Sequence, residues 1–268
     1  SIIPFLFGSL YVYYRYHVFS TDDMVHWTDH GEILNSSQVP WGRKEGGFMW
    51  APDCAYKNGT YYFYFPHPSE TNWDNSWKIG VATSCRPAEG FEVKGYIEGM
   101  DPLIDPCVFV DDNGQAYIYN GGGGICKGGK LKDNMMELDG LMQPMEGLED
   151  FHEATWVHKY NGKYYMLSSG CTGWDPNIAE IAVADSIMGT WKTIGNPCTG
   201  PDADKTFYAQ STYVQPVVGK KDAYIAMFDR WKKKDLEDSR YVWLPVLVKD
   251  GKITIPWHEK WNLSIFDK

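Results

Sequence analysis

"YKNGTYYFYF", residues 56–65, sets an Asn-Gly pair against a run of aromatic residues. Asn-Gly is the preferred centre of a two-residue hairpin turn, and the residues after it have the composition of a strand. Four further stretches repeat the arrangement: "LFGSLYVYY" (6–14), "DDNGQAYIYN" (111–120), "KYNGKYYMLS" (159–168) and "VVGKKDAYIAM" (217–227). Their glycines, Gly8, Gly59, Gly114, Gly162 and Gly219, are separated by 51, 55, 48 and 57 residues. A period near fifty is that of a four-stranded propeller blade. A second pattern of strand, polar turn, large aromatic and strand follows in "VFSTDDMVHWTDHGEI", "GVATSCRPAEGFEVKGYI" and "AVADSIMGTWKTIGNP". It supplies third and fourth strands for blades one, two and four, with Trp27, Phe91 and Trp191 packing between blades. No long helical periodicity competes. The expected fold is all-β, a single five-bladed β-propeller over residues 1–268 with its first blade incomplete at the N-terminus; a β-sandwich is the alternative.

Composition narrows the function. The 12 Trp, 18 Tyr and 12 Phe make 16% of the 268 residues, suited to a β-rich core or to stacking on sugar-like ligands. A net charge of -10 without a Lys/Arg stripe excludes nucleic acid as a partner, and "RWKKKD" at 230–235 reads as a solvated turn. No window approaches eighteen consecutive apolar residues, so no membrane span is expected. The chain starts at Ser1 with no signal-peptide pattern, the look of a processed or truncated start. Six cysteines lack CxxC spacing. Cys54 and Cys107 read as buried thiols in strands, whereas Cys171 and Cys198 fall in loop-like sequence and could pair.

In a propeller the innermost strand of each blade lines the central channel, so equivalent positions in successive repeats converge. Nine residues before each turn glycine stand Trp50, Asp105, Glu153 and Gln210. Two are carboxylic acids, which repel unless one keeps its proton, and a carboxyl pair of that kind is what glycoside cleavage uses. Taken singly, Asp105 before Pro106 could be a turn former and Glu153 could pair with a basic neighbour. Their matching register favours a site.

The motifs "MWAPDCAYKNGTYYFYFPHP", "IDPCVFVDDNGQAYIYNGGG" and "FHEATWVHKYNGKYYMLSSG" resemble, in order and spacing, glycoside hydrolase family 43. The resemblance covers almost the whole chain. It implies a five-bladed propeller that inverts configuration while cutting or removing arabinose, xylose or galactose units. It also implies Glu153 as general acid and Asp105 as the carboxylate that tunes and orients it; the residues themselves do not divide these roles. Up to about residue 155 the chain looks like the arabinofuranosidase and xylosidase branches. "SGCTGWDPNIAEIAVADS", "DADKTFYAQSTYV" and "DSRYVWLPV" look like exo-galactanases.

The resemblance further implies a general-base aspartate on the inner strand of blade one. The nine-residue count from Gly8 falls before Ser1, and "SIIPFLFG" contains no acid. Gln210 is the first substitute, by likeness to galactan-active relatives in which a glutamine handles the water; its alternative role is substrate hydrogen bonding. Asp22 and Asp23 are the second, in an outer turn. Some relatives hold a channel calcium near a blade-five histidine. "YAQST" stands there in this chain, so no metal and no other cofactor is expected.

Trp50 and Trp174 are the candidate sugar platforms, with inter-blade packing as the alternative. Arg230 is placed to bind sugar hydroxyls or a carboxylate, or else to make a structural ion pair. "GGGG" at 121–124 precedes no Lys-Ser/Thr and reads as a flexible connection. "WHEKWNLSIF" at 257–266 is expected to close the ring by pairing with blade one. The expected function is an exo-acting glycosidase on plant cell-wall polysaccharide or oligosaccharide, extracellular or periplasmic, and the alternative is a sugar-binding propeller without turnover.

Overall fold

The computed structural model describes residues 15–43, 49–69, 76–100, 104–121, 125–148, 152–235, 238–249 and 251–267. These residues fold as an all-β propeller. Sheet I has two antiparallel strands, β1 (Arg15–Ser20) and β2 (Thr28–Asn35). Sheet II holds β3 (Asp53–Lys57), β4 (Thr60–Pro68), β5 (Trp77–Ser84) and β6 (Glu92–Tyr96) in meander order. Sheet III holds β7 (Ile104–Val110), β8 (Ala116–Gly121), β9 (Lys127–Lys130) and the short β10 (Gln143–Pro144). Sheet IV holds β11 (Glu153–Tyr160), β12 (Lys163–Ser169), β13 (Ala179–Ala184) and β14 (Lys192–Gly195). Sheet V follows with β16 (Gln210–Pro216), β17 (Ala223–Arg230), β18 (Arg240–Lys249) and β19 (Lys252–Pro256). β15 (Cys198–Thr199) pairs in parallel with β19 as a fifth strand of sheet V.

The sequence period predicts five blades; the described residues make four, with sheet I as a two-stranded remainder. β1 and β2 match the strands expected to be third and fourth in blade one. The repeat around Gly8, where the other two were expected, lies outside the described residues.

The expected hairpin chemistry holds at two of the repeats. Asn58 and Gly59 have φ of 52° and 83°, and Asn161 and Gly162 have 49° and 75°, the double positive φ of a type I′ turn. The first strand of each sheet from II to V faces the axis: β3 packs beside β7, β7 beside β11, and β11 beside β16. Asp53 ties two of them, its Oδ2 accepting the Val108 N–H at 2.6 Å.

The second strands are buried on both faces, which accounts for their unbroken aromatic and aliphatic content. Phe63 and Phe65 pack with Tyr16, Val18 and Leu34 of sheet I, while Tyr64 between them points the other way onto Ile118 and Met135. Phe91 sits between sheets I and II and Trp191 between sheets III and IV, as the second sequence pattern predicts. Trp27 meets Trp243 of the last sheet, ring centroids 5.3 Å apart, and so also packs between sheets.

The C-terminal stretch does not pair with sheet I among the described residues. Leu263–Phe266 form a 3-10 helix that packs with Trp243, Val217 and Ile225 over the face of sheet V, and the Trp261 indole N–H donates to the Trp243 carbonyl at 2.8 Å. Met24, from the β1–β2 turn, joins the same cluster. Side chains, rather than an added strand, connect the first and last sheets here.

Candidate active site

Three inner strands break register beside the residues that the repeat count selects. β7 shifts between Ile104 and Pro106, β11 between Glu153 and Trp156, and β16 between Ser211 and Tyr213. Asp105 and Ala154 both adopt φ of 51°, a conformation that L-residues rarely take. A bulge re-aims the side chain beside it, and strained backbone of this kind gathers at functional sites. The sequence count finds the positions; the bulges are the local structure that turns them.

Asp105 bonds the backbone of Ala154, the residue after Glu153, and feels the Glu153 charge. Burial, then the Glu153 charge, push Asp105 up to about 7, against one backbone hydrogen bond from Ala154. Glu153 is 9% exposed. Burial raises its carboxyl above the usual glutamate range, and hydrogen bonds with the Cys171 thiol and the Gln210 amide pull it back. The pair therefore holds a proton close to neutrality.

Gln210 is fixed at both ends of its amide. Its Nε2 donates to Glu153 Oε1 at 2.9 Å and to Ser169 Oγ at 3.1 Å, while its Oε1 accepts the Trp231 indole N–H at 3.1 Å. An indole N–H only donates, so Trp231 fixes which way the amide faces and leaves its NH2 on the acid. Behind Glu153, a Cβ on Gly121 would lie 2.3 Å from the Glu153 Cα and 2.8 Å from the His152 carbonyl oxygen. Gly121 is thus a close-packing residue at the end of β8, not part of a flexible connection; residues 122–124 of that run lie outside the described residues.

A cleft of about 470 Å³ opens beside this cluster, lined by Gln210, Trp174, Trp231, Tyr208 and Arg230 among others. Trp174 and Trp231 line the cleft and meet edge-on at 5.4 Å; behind them Trp174 meets Trp50 edge-on at 6.4 Å, and Trp50 stacks on the buried Trp77 at 4.6 Å. Trp50 and Trp174, read from sequence as separate candidates, touch one another. Arg230 donates from Nη2 to the Phe207 carbonyl at 2.6 Å and lies 6.0 Å from the Trp257 ring; among the described residues no ion pair involves it.

Sequence reasoning missed Trp231, Ser169, Cys171 and Gly121. Trp231 directly follows Arg230 in "FDRW" and was within reach; the other three act through contacts that no local pattern displays.

The remaining candidates lie elsewhere or stay unlinked. Asp23 is held in its turn, with Oδ1 accepting the Val25 and His26 N–H groups at 2.8 and 2.7 Å and Oδ2 meeting His26 Nδ1 at 2.6 Å. None of the six cysteines forms a disulfide. Cys171 and Cys198 do not pair, because Cys198 is buried in the core between sheets IV and V whereas Cys171 turns to Glu153. Cys54, expected to be buried, is half-buried. Among the described residues no group of three His, Cys, Asp or Glu side chains is placed to share a metal ion, and no helix is long and apolar enough to cross a membrane.

Comparison with known proteins agrees with this fold. A family 43 beta 1,3 galactosidase solved with galactodeoxynojirimycin superposes with a TM-score of 0.82 at 28% identity, covering 94% of this chain and 88% of that one. Xylosidase/arabinosidase 43A of Humicola insolens is 35% identical over 216 residues, 60% of this chain and 63% of its own length. A beta-D-galactofuranosidase of Aspergillus niger is 29% identical over 247 residues, 84% of this chain and 68% of its own. The chain thus spans a little under two thirds of the Humicola relative. The model of the family described as glycosyl hydrolases family 43 matches residues 5–226. With that match over most of its length, the chain belongs to glycosyl hydrolases family 43.

Proposed function

We propose that this chain is an inverting, exo-acting glycoside hydrolase that removes arabinose, xylose or galactose units from plant cell-wall polysaccharide or oligosaccharide. The observation that carries the reading is the bonded set Glu153–Gln210–Trp231 with Asp105 against it, at the edge of an aromatic cleft. The names of the relatives support the sugar classes. Sheet I belongs, on this reading, to blade one, which makes five blades in a single propeller domain. A polymeric substrate fits an extracellular or periplasmic location.

In the proposed reaction Glu153 gives its proton to the leaving oxygen as the glycosidic bond breaks. Asp105 raises the affinity of the pair for that proton. Trp50 and Trp174 supply ring faces for sugar C–H groups, and Arg230 binds the sugar beside the scissile bond. An inverting enzyme also needs water activated on the opposite face by a base roughly 6.5 to 9.5 Å from the acid. Gln210 bonds the acid itself at 2.9 Å, nearer than that separation, so on this reading it orients Glu153 rather than standing across the sugar as the base. An amide is a weak base, and this one observation favours the second reading, a sugar-binding propeller with little turnover.

Hydrolysis of aryl α-L-arabinofuranosides, β-D-xylosides and β-D-galactosides, with Glu153→Gln as control, separates the two. Turnover of one sugar that falls at least about 100-fold in the variant supports the hydrolase. Sugar binding shared by both proteins without turnover in either supports the binding module.

A further inference from the structure

The walls of the cleft bring two guanidinium groups together, one of them without a carboxylate partner among the described residues. Arg230 and Arg240 are directly opposed in the β17–β18 ladder, so their side chains leave the same face, and both line the cleft. Like charges directly opposite each other destabilise a strand pair. Lys232 adds a third cation to the lining.

The described carboxylates do not offset all three. Asp238 is shared by Arg240 and Lys232, Lys232 also reaches Asp235 at 3.5 Å, and Asp175 reaches Lys233 at 3.7 Å. Arg230 has a carbonyl partner only, and its Nε is a buried donor without an acceptor among the described residues. Arg230 is thus the one lining cation without a carboxylate partner among the described residues.

Trp174, Trp231 and Tyr208 share this cleft, and Gln210 joins it to Glu153. Aromatic faces suit a sugar ring, and paired guanidinium groups suit a carboxylate, which they bind through parallel N–H donors. We infer that the cleft is a subsite for a uronic acid residue neighbouring the scissile bond, its carboxylate held by Arg230 and Arg240. The inference rests on the glycosidase reading of the site and names the class of sugar beside it.

The test is calorimetric titration of the full chain with β-D-glucuronosyl-(1→6)-D-galactose and with the same disaccharide methyl-esterified at the carboxylate. The acid should bind about tenfold more tightly than the ester, and the gap should shrink between 50 and 500 mM salt, as a charge contact requires (both salt levels are roughly set by the screening length). Arg230→Gln should remove most of the gap. Because that change also removes the hydrogen bond to Phe207, Arg240→Gln on the exposed strand end is the second variant and should narrow it too. Equal affinity for acid and ester in the unaltered protein overturns the inference, as does a preference that survives both variants. Galactose 6-sulfate binding more tightly than free glucuronate overturns the choice of a uronate. Binding is read without turnover, so an acid preference in a chain that hydrolyses nothing upholds the subsite and sinks the hydrolase. Hydrolysis of neutral glycosides without an acid preference does the reverse.

Discussion

At the scale of single residues, the surroundings of Glu153 push its proton affinity in opposite directions. Burial favours the neutral form, whereas Gln210 donates to the carboxylate and favours the charged one, and the Glu153 charge in turn pushes Asp105 up. Trp231→Phe removes the N–H that fixes the Gln210 amide while keeping a ring against Trp174. Without that lock the amide can turn its carbonyl toward the acid, which favours the protonated carboxyl. The alkaline limb of the pH–rate profile should then move to higher pH, with a rate loss of up to about 100-fold from misplacement. Asp105→Asn should move the same limb to lower pH. Steady-state rates across pH 4 to 9, a window chosen to run about two units either side of a near-neutral pKa, check both. A purely structural role for Trp231 would lower the rate and leave the limb where it is.

At the scale of elements, the site depends on how closely neighbouring sheets approach. Gly121 lets the end of β8 lie against the backbone of Glu153, and any Cβ there meets atoms that cannot swing aside. Gly121→Ala should therefore displace β11 at its first residue, lowering the rate about 100-fold and costing about 1 to 3 kcal/mol of stability. Activity and thermal unfolding measured together would show it; an unchanged rate would mean that β11 shifts without carrying Glu153 off its target. The same contact marks the limit of what the sequence discloses. Turn glycines and aromatic runs are local, so the hairpins of sheets II to V and the convergence of Asp105, Glu153 and Gln210 were legible from spacing alone. The glycine run at 121 looks like any flexible linker, because its meaning comes from a strand in the next blade. Likewise, "WHEKWNLSIF" pairs with no strand of sheet I among the described residues, because pairing partners are not written in a terminal segment's composition. The Trp261 and Phe266 side chains anchor it to sheet V instead.

At the scale of the whole molecule, acids at the inner ends of several sheets make stability depend on pH in an uncommon direction. Burial pushes Asp53 and Asp105 up to about 7 and Asp229 up to about 6, and raises Glu153 as well. Each of these groups keeps its proton in the folded chain at a pH where the unfolded chain has lost it. Where the native state binds more protons, stability falls as pH rises. The loss begins near the unfolded value of about 4 and is complete once pH passes the folded values near 7. Asp111 works the other way: although burial raises it, hydrogen bonds from Lys159 and Tyr164 hold it below the usual aspartate range. Its contribution is present above the unfolded value and is lost only as pH falls through the lower, folded one. The unfolding midpoint should therefore be highest near pH 4 to 5, fall steadily to about pH 7 and level off above it. The negative net charge at neutral pH steepens the same slope by self-repulsion. Asp53→Asn and Asp105→Asn should each flatten part of the fall, because an amide has no proton to lose. Thermal unfolding at half-unit steps from pH 3 to 8, about one unit beyond both ends of the titration range, measures the curve. A midpoint that rises toward pH 8 would mean that these carboxyls are solvated, and with them the channel in which Glu153 and Asp105 are proposed to share a proton.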